Sequence, residues 1–105
     1  MFLVTRTQVR PNTSVEFFGQ DNPAIAPEAI TYMRENFIIT GKQVNNDRTV
    51  SEDGLTLTVN TIWQSEEVFN EYRNDQFVID NLINTSNTYC EANGISSALV
   101  GKEQI

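Results

Sequence analysis

Apolar, β-branched and polar residues alternate from Phe2 to Val9, a pattern that predicts a strand. Arg10, Pro11 and Asn12 end it, because proline cannot donate to a ladder. The following TSVEFF is expected either to extend this strand or to form a short edge piece, and GQDNP then supplies turn chemistry. Ala26, Ala29, Ile30, Met33 and Phe37 recur at three- and four-residue steps, so the segment from Pro27 to Phe37 predicts an amphipathic helix with Pro27 in its first turn. Thr40 and Gly41 stop that helix. Lys42 to Val50 returns to an extended pattern polar enough to predict an edge strand.

SEDG, Ser51 to Gly54, is a hairpin signal, and LTLTVNTIW after it alternates with period two. Leu55, Leu57, Val59, Thr61 and Trp63 share one face, while Thr56, Thr58, Asn60 and Ile62 share the other. Which face meets the helices is left open by the pattern. Ser65 is placed to cap a helix whose first turn holds Glu66 and Glu67 and whose stripe is Val68, Phe69 and Tyr72. Asn74 and Asp75 predict a break and a new cap; Ile79, Leu82, Ile83, Ser86 and Cys90 then form a second stripe, closed by Asn93 and Gly94. ISSALVGKEQI predicts a last strand. The order βαββαβ, with right-handed crossovers, gives a single ferredoxin-like α+β domain over residues 1–105: a four-stranded antiparallel sheet with both helical segments on one face.

A chain of 105 residues buries only somewhat more than about 60% of its unfolded surface, so its core is small. A net charge of -7 with scattered basic residues repels polyanions, and nucleic acid is not an expected partner. No apolar run is long enough for a membrane span. The opening MFLVTRTQVRPN lacks a secretion-signal pattern and Cys90 is the single cysteine, so a cytoplasmic location is expected.

The chain contains no histidine, the usual general base near neutral pH and the commonest nitrogen ligand of metals. Cys90 lies on an inner helical stripe and reads as a buried thiol rather than a nucleophile. Asp47, Glu52 and Asp53 match no calcium loop and the glycines are isolated, so neither a metal site nor a phosphate loop is expected. What remains is aromatic and amphipathic: Tyr32, Met33, Phe37, Trp63, Phe69 and Tyr72. Aromatic residues at helical spacing are usually core, so these suit a plain core first; the alternative is the lining of an apolar pocket in which Tyr32, Tyr72 or Asn60 donates hydrogen bonds and Arg6 holds an anionic or enolate oxygen. No cofactor is called for by this set.

The stretch TIWQSEEVFNEYRND, a strand ending in Trp63, then SEE, then a helix with an aromatic residue nine positions on, resembles the antibiotic-biosynthesis-monooxygenase group of dimeric α+β barrel proteins. MFLVTRTQVRPNTSVEFF and TGKQVNNDRTVSEDGLTLT also resemble short marine viral or metagenomic proteins. The first resemblance implies a homodimer packed sheet against sheet, with a cavity between each sheet and its helices. Haem-degrading relatives hold haem through histidine, and Tyr72 stands where many relatives carry one, so the resemblance implies no haem here. Three functions follow as expectations. The first is a protein that binds a hydrophobic small molecule such as a fatty acid or flat aromatic. The second is a cofactor-independent monooxygenase acting on a quinol or phenol through Arg6, Asn60, Trp63 and Tyr72, and the third is an interaction module that uses the edge strand or dimer surface.

Overall fold

The computed structural model describes residues 1–19 and 22–105. Its strands are β1 (Phe2–Val9), β2 (Gln43–Val50), β3 (Thr56–Trp63) and β4 (Ser96–Gln104). Helix α1 (Pro27–Met33) runs directly into a π-helical turn, Arg34–Ile38, and α2 spans Glu66–Asn74. After Asp75 the chain forms α3 from three consecutive parts: Gln76–Val78, a second π-helical turn Ile79–Ile83, and Asn84–Ala92. The spatial strand order is β2-β3-β1-β4 with every neighbouring pair antiparallel, and the helices cover one face. This is the ferredoxin-like α+β arrangement.

Burial settles which sheet face meets the helices. Phe2 and Val4 of β1 and Leu57 and Trp63 of β3 are buried, and antiparallel register puts Phe2 opposite Trp63. Period two then commits Arg6 and Gln8, and Val59 and Thr61, to the same side. Phe37, Phe69 and Val78 complete the core from above. The opposite face carries Thr5, Thr7, Thr58 and Asn60.

Local chemistry explains the helix boundaries. The Ser65 hydroxyl accepts the Val68 N–H at 3.2 Å, which caps α2. Asp75 breaks the run with extended backbone and recaps it, its carboxylate accepting the Val78 N–H at 3.0 Å and the Tyr32 hydroxyl at 2.7 Å. One carboxylate therefore starts α3 and ties it to α1, where Tyr32 also stacks on Phe77 with ring centroids 4.1 Å apart. Gly94 takes φ 70° and the Ile95 N–H returns to the Cys90 carbonyl at 2.8 Å, a left-handed helix end that disfavours a β-carbon.

Three expectations need correction or refinement. TSVEFF forms no strand, because its backbone is held by side chains. Gln8 both donates to the Phe18 carbonyl and accepts the Phe18 N–H at 2.9 Å, Arg10 donates to the Val15 carbonyl, and Tyr89 donates to the Glu16 carbonyl. The helix predicted over 27–37 is not α throughout, since the Ile39 N–H bonds the Arg34 carbonyl five residues back. Alternation in the last strand breaks at Val100: Arg6 faces Leu99 while Thr5 faces Gly101, so the bulge turns Lys102 to the helical side. Of GQDNP, residues 20 and 21 lie outside the described residues.

Asp75→Ala should cost about 1–2 kcal/mol in urea unfolding at neutral pH, the ordinary loss for a helix cap. Burial pushes the Asp75 carboxyl up, but the Tyr32 hydroxyl and the Val78 and Phe77 N–H groups outweigh it and hold the group below its usual range. Its stabilisation is accordingly complete above the ordinary carboxylate value of about 3.9 and is lost as pH falls through the depressed folded value, so the two proteins should converge in strong acid.

Candidate ligand-binding site

Register builds the floor of a cavity between sheet and helices. Arg48, Val59, Arg6 and Leu99 form one row across all four strands, and Asn46, Thr61, Val4 and Lys102 form the next. Above this floor stand Met33 of α1, Phe69, Tyr72 and Arg73 of α2, and Leu82 and Ile83 of α3. The cavity is partly open to solvent and its volume is about 300 Å³, at the lower end of ligand-sized pockets.

Helix geometry explains the upper wall. Phe69, Tyr72 and Arg73 stand three and four residues apart and so share one face of α2. The wider π-helical turn at Ile79–Ile83 brings the consecutive residues Leu82 and Ile83 to the cavity together. Trp63 forms the back wall at 1% exposure, its indole N–H donating to the Thr61 hydroxyl at 2.9 Å and its ring stacked on Tyr72 at 4.8 Å.

The electrostatics are the reverse of the chain's average. Arg6, Arg48 and Arg73 line the cavity, and among the described residues no carboxylate does. Burial pulls the Arg6 guanidinium below its ordinary pKa and nearby Arg73 pulls it the same way, while Tyr72 and Cys90 oppose. Arginine titrates so high that Arg6 remains a cation. Burial pushes the Tyr72 phenol up, against the pull of Arg6 and Arg73, so it is a neutral donor at pH 7. Burial likewise raises the Cys90 thiol, against the Ser86 hydroxyl and Arg6. The one ion pair among the described residues, Lys42 with Glu71 at 2.6 Å, is on the surface and leaves Arg6 and Arg73 without a carboxylate.

Of the residues singled out from sequence, Arg6, Met33, Trp63, Phe69 and Tyr72 converge on this cavity. Tyr32 is turned to Asp75 and Phe77. Phe37 is buried behind the wall, edge-on to Trp63 and Tyr72. Asn60 lies on the opposite sheet face, where its side-chain oxygen accepts the Thr5 hydroxyl at 2.7 Å. Arg48, Arg73, Leu82 and Ile83 were not anticipated. The shared helix face of Phe69, Tyr72 and Arg73 was a readable signal for Arg73; Arg48 needed the register of β2, which shifts between Gln43 and Asn45. Among the described residues, no cluster of three histidine, cysteine or acidic side chains is placed to hold a metal, and no helix is long and apolar enough to cross a membrane.

The chain matches no protein-family model and no curated protein. Among solved structures it is similar to that of Rv0793 from Mycobacterium tuberculosis, at 12% identity and a TM-score of 0.43 over 96% of this chain and 94% of that one. Such a likeness leaves the fold to the topology above and the function to the cavity.

Two substitutions separate cavity-facing from load-carrying groups. Trp63→Ala should cost about 3–5 kcal/mol in chemical denaturation, as large aromatic deletions from a core do. Tyr72→Phe should stay within about 0.5 kcal/mol of wild type, because the ring packing is kept and among the described residues the hydroxyl has no hydrogen-bond partner to lose.

Proposed function

We propose that this protein binds a hydrophobic small molecule, a fatty acid or a flat aromatic, between its sheet and its helices. The carrying observation is the cavity itself: about 300 Å³ with Trp63, Phe69, Met33 and Leu82 around it and Arg6 and Tyr72 supplying polar groups. Apolar walls with a few convergent donors are the usual form of a small-molecule site. The working unit in this proposal is a homodimer in the cytoplasm, joined through the threonine-rich face of β1 and β3. In its favour, Leu3, Thr58 and Ile62 on that face are part-exposed and no helix covers them.

A second reading, a cofactor-independent monooxygenase, is favoured by one specific arrangement: Tyr72 stacks on Trp63 with Arg6 nearby. In this reading a bound phenol or quinol loses its proton beside the cationic groups, and the electron-rich anion reacts with oxygen itself. Asn60 has no part in it, since its side chain lies across the sheet.

A ligand present at a hundred times its dissociation constant should stabilise the fold by about 2.7 kcal/mol, raising the melting temperature by about 10 °C or more. Thermal unfolding with a panel of medium-chain and aromatic compounds measures this, and no shift with any of them would remove the binding reading. Native mass spectrometry should give a dimer mass for the wild type, reduced to a monomer by Thr58→Glu on the open sheet face. Oxygen uptake with a quinol panel, abolished in Trp63→Phe and Tyr72→Phe, would establish the second reading; turnover no faster than buffer would sink it.

A further inference from the structure

We infer that the ligand is an anion, a compact monocarboxylate with an apolar body, whose charged end is held between Arg6 and Arg73 with the Tyr72 hydroxyl as a third donor. This rests on the cavity being a ligand site and states what that site selects. Across the chain acidic residues outnumber basic ones 14 to 7, whereas the cavity lining of the described residues holds three arginines and no carboxylate. A surface drawn at the chain's own proportions would carry two acids for each base. The departure is therefore local and opposite in sign to the protein's overall field.

The arginines divide by what they already bind. Arg48 donates to the Phe18 carbonyl at 3.4 Å and lies so close over Gly19 that a β-carbon there would meet its guanidinium at 2.8 Å. It is engaged in holding the loop. Arg6 and Arg73 line the same cavity, Arg73 close enough to pull the Arg6 guanidinium down, and among the described residues neither pairs with a carboxylate. Two like charges at a partly desolvated site are unfavourable unless an anion neutralises them, and one carboxylate offers two oxygens to two guanidinium groups. A neutral ligand would displace water from both cations and return only weaker hydrogen bonds to an uncharged acceptor.

Volume sets the rest of the class. A volume of about 300 Å³ accommodates a medium-chain fatty acid or a two-ring aromatic acid. Phe69, Leu82 and Ile83 give the cavity an apolar side that suits the body of a ligand with one charged end.

Matched probes test the inference by isothermal titration calorimetry at pH 7: octanoate against 1-octanol, and 2-naphthoate against 2-naphthol. The carboxylates should bind about ten- to a hundredfold tighter than their neutral partners, with the gap narrowing as salt is added. Arg6→Met and Arg73→Met should each bring carboxylate affinity toward that of the alcohol and leave alcohol affinity unchanged. The unliganded melting temperature of Arg6→Met should hold or rise, since a partly buried, unneutralised charge has been removed; if that variant fails to fold, Arg73→Met carries the comparison. Equal affinity within each pair, or an advantage that survives both substitutions, overturns the inference and leaves the cavity as a site for neutral molecules. Binding of none of the four probes overturns it together with the cavity reading.

Discussion

The packing of the Trp63 indole is the constraint on which the helical side of this molecule depends. It closes the central strand β3, stands opposite Phe2 on β1 and Gln43 on β2, and meets Phe37 from the turn after α1 and Phe69 and Tyr72 from α2. Its single polar atom is satisfied within the same strand by Thr61, so the ring enters the core without an unpaired donor. Two rings of α2, Phe69 and Tyr72, pack on that indole and seat the helix on the sheet. Tyr72 is consequently held over the floor on which Arg6 stands.

A small chain with this much negative charge has little reason to concentrate cations beside a desolvated space. Net charge acts over the whole surface and favours solubility, whereas the arginines of the cavity act at short range in a medium of lower dielectric. The two effects are independent. The net charge repels anions at long range, whereas the guanidinium groups act only within the cavity.

The fold was legible because its signals are short-range. Period two in β3, the Ser65 and Asp75 caps, and Gly94 at the end of α3 each depend on neighbours a few residues away, and each lies where the pattern put it. TSVEFF was misread because its extended, β-branched look is a local property, whereas Gln8, Arg10 and Tyr89 hold its backbone from elsewhere in the chain. The site was legible in part for the same reason. Trp63, Phe69 and Tyr72 share readable faces, but Asn60 and Arg48 depend on which side of the sheet is covered and on a register shift beside Val44. A sequence shows that two faces exist; only packing says which one is inside.

The π-helical turns carry a different consequence. A π-helical turn holds one residue more than an α-helical turn, and residues on an α-helix are separated by about 100° of rotation. Deleting one residue within Ile79–Ile83 would restore regular winding and leave Ser86 and Cys90 on their present side of the axis, because the residue lost is the extra one that the wider turn absorbs. A one-residue change there would alter only the turn that presents Leu82 and Ile83 to the cavity, with the rest of α3 and every strand left in register.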